Sequence, residues 1–155
     1  MAKRSAGILL FRRRAGVLEV LLAHPGGPFW AGKDEGAWSI PKGEFDDTEE
    51  PLAAAKREFA EETGIEIAGP FFALQPVKQR SGKTIHAFAA EGDCDAAAIR
   101  SNTFELEWPR GSGKVAKFPE VDRAAWFDPE TSKRKLNAAQ AQLVDQLVAL
   151  LRGSP

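Results

Sequence analysis

The stretch GEFDDTEEPLAAAKREFAEETGI, Gly43 to Ile65, decides the fold. Its second half places Glu58, Glu61 and Glu62 at helical spacing beside Arg57. At about 100° per residue these three carboxylates fall in one narrow sector of a helix, while Leu52, Ala55 and Phe59 form a stripe roughly a quarter turn away. One face packs and its neighbour is charged. Like charges at i, i+3 and i+4 repel by about a few tenths of a kcal/mol per pair, so a helix built for stability alone would intersperse lysines. The pattern expects a cation. Hard oxygen ligands suit Mg²⁺ or Mn²⁺, and Mg²⁺ is typically held by a few carboxylates together with waters and substrate phosphates. A solvated acidic stripe is the competing reading of any Glu-rich helix, and the flanking residues argue against it. Thr48 is suited to cap the helix, Pro51 to its first turn and Gly64 to its end after Thr63, so the spacing predicts a helix from about Thr48 to Thr63. Just before it, Pro41, Lys42 and Gly43 form a turn that presents backbone groups toward the same carboxylates.

The separations are specific: Gly43, five residues, Glu49, seven residues, then Arg57, Glu58, Phe59, one residue, Glu61, Glu62, one residue, Gly64, Ile65. This run resembles the Nudix box, G-x5-E-x7-R-E-U-x-E-E-x-G-U with U a bulky apolar residue, and the chain resembles the Nudix hydrolase superfamily. Phe59 in place of an aliphatic residue is a mild departure. The resemblance implies an α/β class and a Nudix fold, an α/β/α sandwich around a mixed curved sheet. It implies metal-dependent hydrolysis of a diphosphate linkage in a nucleoside diphosphate joined to another group. Glu58 and Glu62 are then expected as direct metal ligands, with Glu61 a third ligand or the residue that orients the attacking water. Arg57 and Glu49 are expected to hold the box carboxylates by ion pairing, and Gly64 to end the helix. The backbone carbonyl of Gly43 or Lys42 is expected as another metal contact. The cofactor implied is Mg²⁺, or Mn²⁺, as two or three ions. Many Nudix enzymes take one more carboxylate, a ligand or general base, from a loop before a late strand that carries an aromatic pair. Glu120, in KFPEV ahead of Trp126 and Phe127, matches that description, with Glu105 and Glu107 as competitors.

Substrate identity is thinner in the sequence. The run WSIPKGE, Trp38 to Glu44, resembles the W-x-x-P-K-G approach to the box in Nudix dinucleoside polyphosphate hydrolases and diphosphoinositol polyphosphate hydrolases, although Thr48-Glu49 stands where a Gly-Glu pair is usual. It favours a dinucleoside polyphosphate or related nucleotide over house-cleaning of nucleoside triphosphates or cleavage of ADP-ribose and nucleotide sugars. Lys42, Lys78, Arg80 and Lys83 are candidates to contact phosphates, Trp30 or Trp38 to stack a base, and His86 to face the cleft. Each has a plainer reading as a solvated or packed side chain, and Lys42 stands out because the PKG turn fixes it near the metals. The alternative function is a nucleotide-sensing domain that binds without turnover. A degenerate box would favour that, and this one keeps every ligand position.

The rest of the chain fits a small enzyme. At 155 residues it is expected to form one domain, 1–155, around a single core. Twenty-one basic and 22 acidic residues leave a net charge of -1, so no global field demands nucleic acid or an anionic membrane as partner; a small-molecule nucleotide or polyphosphate is expected, with the chain a monomer or homodimer. The lone Cys94 has no internal disulfide partner, and a reducing cytoplasm is the expected compartment. The apolar run Ala6 to Phe11 is too short for a signal core and arginines follow it at once, so it reads as a first strand. Ser5–Phe11 and Val17–Ala23 read as a hairpin. His24–Gly36 is a Gly/Pro-rich loop carrying Phe29 and Trp30, and Trp38–Ile40 reads as a short strand. Phe71–Gln79 and Thr84–Ala90 form a further hairpin. Asp93–Arg100 is a loop or short helix, Thr103–Trp108 a strand and Pro109–Lys114 a turn. A last strand, Ala124–Phe127, precedes a short helix capped by Asp128 and a longer amphipathic one from Asn137 to Leu151.

Overall fold

The computed structural model describes residues 3–153. Strands β1 (Arg4–Arg14) and β2 (Val17–Pro25) form the expected hairpin, and their apolar runs are buried on both faces, which explains why they read as continuous rather than alternating hydrophobic stretches. β1 is central. On one side it runs parallel to β6 (Thr84–Glu91). On the other it is shared: residues 4–7 pair antiparallel with β3 (Lys42–Phe45) and residues 11–14 with β2. β9 (Val121–Phe127) extends the sheet antiparallel to β2, so parallel and antiparallel neighbours coexist in one mixed sheet.

Each face of the sheet carries helices. Ala6, Ile8, Leu10, Leu21 and Phe45 pack against Ala54, Ala55 and Phe59 of the box helix α1 (Pro51–Thr63). Leu9, Phe11, Val20 and Leu22, one residue out of phase, pack against Leu143, Val144 and Leu147 of α3 (Ala141–Arg152), with α2 (Pro129–Lys135) feeding Leu136 into the same cluster. The period-two alternation of the strands thus supplies two cores to two helical layers, the expected α/β/α arrangement.

Several boundaries differ from the sequence reading, each for a local reason. Trp38–Ile40 is not a ladder strand: Ser39 makes one reciprocal bridge with Ala23, and the Ile40 N–H is taken by the Gln140 side chain at 2.9 Å. Regular pairing begins only after Pro41, at Lys42. The box helix begins at Pro51, not Thr48. Thr48 turns its N–H and hydroxyl to Asp46, and Glu50 is the N-cap without a side-chain bond. Gly64 ends the helix as expected, at φ 76°, with its N–H on the Ala60 carbonyl. The Phe71–Gln79 strand is divided at Pro76, which has no N–H, into β4 (Phe72–Ala73) and β5 (Val77–Lys78), both paired with β6. Asp93–Arg100 contains a single turn of 3₁₀ helix at Ala96–Ala98, capped by Asp95. The C-terminal helix is preceded by another such turn, Ala138–Gln140, capped by Asn137. The Asp128 cap is present, accepting from Thr131 N–H at 2.8 Å.

A second, two-stranded sheet, β7 (Thr103–Glu107) with β8 (Val115–Pro119), stands apart from the main one. Only β7 was legible in the sequence. Its Phe104 ring touches Gly27, where an added Cβ would come within 2.9 Å, and Trp108 meets Phe29 edge-on at 5.6 Å, so the hairpin rests on the loop between β2 and β3. That loop is anchored by His24, which bonds Asp122 at 2.9 Å and the Lys33 carbonyl at 2.7 Å. Among the described residues, no helix is long and apolar enough to cross a membrane.

Candidate active site

The carboxylates of α1 do not act as one set. Glu58 and Glu62, on the flank turned to β3, line a cavity of about 310 Å³ together with Ser5, Lys42, Gly43, Glu44, Lys83, Asn102 and Glu120. Glu61 points to the other flank. There Arg57 makes a two-pronged pair with Glu49, at 2.7 and 2.8 Å, and reaches Glu58 and Glu61 at 3.0 Å each. Arg57 is thereby held charged, its pKa raised chiefly by the bond to Glu49, while Glu49 is lowered by the same bond. The expected support by Arg57 and Glu49 is therefore visible as geometry, whereas the expected trio of converging glutamates is not. Among the described residues these groups do not close into a cage of three donors.

Gly43 is required by close approach. An added Cβ would lie 1.9 Å from Glu58 Oε2, so only glycine lets the carboxylate lie against the backbone of β3. One turn on, Glu62 accepts the Lys42 N–H at 3.2 Å. Burial, reinforced by the charge of Glu58, pushes the Glu62 carboxyl up to about 8, and burial raises Glu58 as well. The Lys42 ammonium is pushed down by burial and by the charge of Lys83. Lys83 in turn pairs with Glu44 at 3.0 Å.

Glu120 reaches the same cavity from the far end of the chain, and backbone bonds bring it there. Asn102 N–H donates to the Glu61 carbonyl at 2.8 Å, Glu120 N–H donates to the Asn102 carbonyl at 2.9 Å, and the Glu120 carbonyl accepts from Gly26 at 3.0 Å. Arg100 N–H donates to Thr63 at 2.8 Å, and an added Cβ on Gly64 would meet Arg100 at 3.2 Å. The segment 100–102 is thus stapled to the end of α1, and Glu120 is stapled to it. Glu105 and Glu107 lie out along the hairpin, with Glu107 capping the turn through Gly111 and Gly113 N–H groups.

Other expected substrate contacts fall elsewhere. Trp38 is 4% exposed, donates to Asp34 at 2.8 Å and packs edge-on against Phe127 at 5.1 Å. It is a core residue beneath the run leading into β3, not a stacking platform. Arg80 and Lys78 are exposed and do not line the cavity. His86 packs edge-on against Phe45 at 5.8 Å, with its pKa lowered by burial, and it too is absent from the lining. Trp30 remains exposed on the loop, with the Lys33 ammonium 5.2 Å from its ring centre. Ser5, Glu44 and Asn102 line the cavity without having been singled out; nothing in their local sequence marks them, because register and the Asn102 staple place them.

The donor set fits a divalent cation: of the four carboxylates lining the cavity, Glu44 is paired with Lys83, and Glu58 and Glu62, raised by burial and neighbouring carboxylates, are relieved together with Glu120 by a hard positive ion. Fold and cavity together define an α/β/α enzyme with a carboxylate centre beside a basic wall. A Nudix domain family model matches residues 1–147. The chain belongs to the Nudix family, and by that membership it is a pyrophosphohydrolase. Its fold is similar to that of an Ap4A hydrolase from C. elegans in a binary complex, with TM-score 0.69 and 22% identity over 99% of this chain and 100% of that one. It is also similar to the Nudix domain of Shewanella oneidensis NrtR complexed with ADP ribose, with TM-score 0.66 and 18% identity over 97% and 89% of the two chains. A MutT/Nudix family protein from Listeria innocua gives 0.64 and 17% over 97% and 94%.

Proposed function

We propose that the protein hydrolyses a diphosphate linkage in a nucleoside diphosphate joined to another group, with a dinucleoside polyphosphate or related nucleotide as substrate. The observation that carries this reading is the meeting of Glu58, Glu62 and Glu120 with Lys42 and Lys83 in one cavity. Similarity over full length to an Ap4A hydrolase supports the substrate class. The NrtR domain complexed with ADP ribose supports ADP-ribose as the second substrate to test. Glu58, Glu62 and Glu120, with the backbone carbonyl of Gly43 or Lys42, would hold two or three Mg²⁺ or Mn²⁺ ions. Such ions, when bound, neutralise the diphosphate and make a water more acidic.

The chain's own residues do the remaining work. Lys42 donates to a phosphoryl oxygen, its position fixed between Pro41 and Gly43. Glu120, the exposed carboxylate on the loop, accepts a proton from the attacking water where it is not itself a metal ligand, with Glu58 as the competing base in the cavity. Arg57 keeps Glu58 oriented and Glu49 keeps Arg57 in place. The unit of function is a single domain over residues 1–155, acting in the cytoplasm as a monomer or homodimer on a small molecule, with no nucleic acid or membrane required.

The test is a hydrolysis panel of dinucleoside polyphosphates, ADP-ribose, nucleotide sugars and nucleoside triphosphates, run with Mg²⁺, with Mn²⁺ and with chelator. Products made in ¹⁸O water identify the phosphorus attacked. Preferential turnover of a dinucleoside polyphosphate, lost with chelator, is the expected result. Tight nucleotide binding without product in either metal would favour a nucleotide-sensing domain.

A further inference from the structure

The cavity has two chemically different walls, and the strand register separates them. On β3, Gly43 and Phe45 face α1: Phe45 packs with Phe59, and the added Cβ of Gly43 would strike Glu58. Lys42 and Glu44, one residue out of phase, face the other way. Their register partners on β1 are Gly7 and Ser5, which lie on that same face; an added Cβ on Gly7 would come within 2.6 Å of the Lys42 Cβ. With its α1-facing wall acidic, the cavity straddles β3, whose other wall carries Lys42, Glu44, Lys83 and Ser5.

Ser5 is the unusual member. It is 0% exposed, at the head of the apolar run Ala6–Phe11 of β1, and its Oγ has no hydrogen-bond partner among the described residues. A buried hydroxyl without a partner costs about 1–3 kcal/mol, and structures rarely tolerate one without a reason. Its neighbours indicate the reason. The Cβ atoms of directly opposed residues lie about 5 Å apart across an antiparallel pair, so Ser5 sits beside Glu44, whose carboxylate is held on the Lys83 ammonium at 3.0 Å. An anion already occupies that ammonium. Lys42 supplies a second positive group, which feels the charge of the first.

We infer that Ser5, Lys42 and Lys83 form a subsite for a phosphoryl group beyond the two that the carboxylate wall serves, with the Ser5 hydroxyl donating to its oxygen and that oxygen replacing the Glu44 carboxylate on Lys83. The subsite takes ligands with three or more linked phosphates. This rests on the reading of the protein as a diphosphate hydrolase, and it adds a selection rule: chain length is measured by the wall opposite the catalytic carboxylates.

The probes are inorganic triphosphate and inorganic diphosphate, titrated calorimetrically with Mg²⁺ into the wild-type chain and into Ser5→Ala, alongside thermal unfolding of both. Ser5→Ala is expected to weaken triphosphate about tenfold, the worth of one hydrogen bond to a charged group, and to leave diphosphate within about twofold. Because the hydroxyl has no partner, the melting temperature of the variant should equal or exceed that of wild type. An equal loss for both probes, no loss for either, or a lowered melting temperature would each overturn the inference. A wild-type chain that distinguishes the probes through Ser5 but hydrolyses nothing in the substrate panel would sink the functional reading and leave the subsite standing.

Discussion

The two flanks of the box helix carry the same residue type and put it to opposite use. On the Arg57 flank, Glu61 is 39% exposed and, with Glu49 and Glu58, is tied to one guanidinium. On the β3 flank, Glu62 has no arginine, only the Lys42 N–H, and burial beside Glu58 pushes it up to about 8. Glu61 and Glu62 are adjacent in the chain, and a rotation of about 100° separates a charge stabilised by a partner from one left in want of a cation. A cluster of like charges on a helix therefore says less than which members have partners. Glu58 belongs to both flanks and couples them.

The comparison breaks most sharply by substitution on each side. Glu62→Gln is expected to lower kcat by about a thousandfold or more, and Glu61→Gln by only about tenfold, measured at saturating metal and substrate. Equal losses would erase the distinction between the flanks. Glu120→Gln should cost about a hundredfold in turnover with an unchanged circular dichroism spectrum. A near-normal rate would remove it from the mechanism.

A pH titration of stability sharpens the same contrast. For a carboxyl whose folded pKa is raised, the native state holds the proton more tightly than the unfolded chain. Its contribution is full below the ordinary value of 4.5 and is lost as pH rises through about 8. The chelator-treated protein should accordingly lose stability between about pH 5 and pH 8, by an amount of order 3–4 kcal/mol from this group, and Glu62→Gln should flatten that slope. An identical slope in the variant would mean that Glu62 titrates normally. The smallest effect belongs to the other flank: Glu49→Gln, at a pair 29% and 38% exposed, should lower the midpoint of denaturant unfolding only slightly, because solvent screens that pair.

What the sequence disclosed follows from the range of the interactions. The box helix, its glycine stop, the two-faced strands and the Asp128 cap are local patterns, and they appear where expected apart from the helix start, which moves from Thr48 to Pro51. The box also named Glu58, Glu62, Gly43 and Lys42, and Glu120 was found from its position before an aromatic pair. Long-range pairing was less legible. Trp38 reads from the sequence either as a core residue or as a platform for a base, and only Phe127 closing over it decides for the core, while the approach to β3 is held by a glutamine far down the chain, Gln140, taking the Ile40 N–H. Strand β8 alternates weakly and sits on a small sheet of its own, so its pattern carried little signal. Ser5 was invisible because a serine in an apolar strand acquires meaning only from the register that sets it opposite Glu44.

The bond from Glu120 N–H to the Asn102 carbonyl closes the base of the hairpin that lies between them. Both ends of that insertion are pinned to the catalytic framework, one to α1 and the other to the start of the 24–36 loop, while its far end at Pro109–Lys114 touches none of the cavity lining residues in sequence. The turn at 109–114 contributes nothing to the cavity lining, so its length is free of the carboxylate at the root. The position of this carboxylate is thus uncoupled from the turn of the hairpin, and drift in the second need not endanger the first.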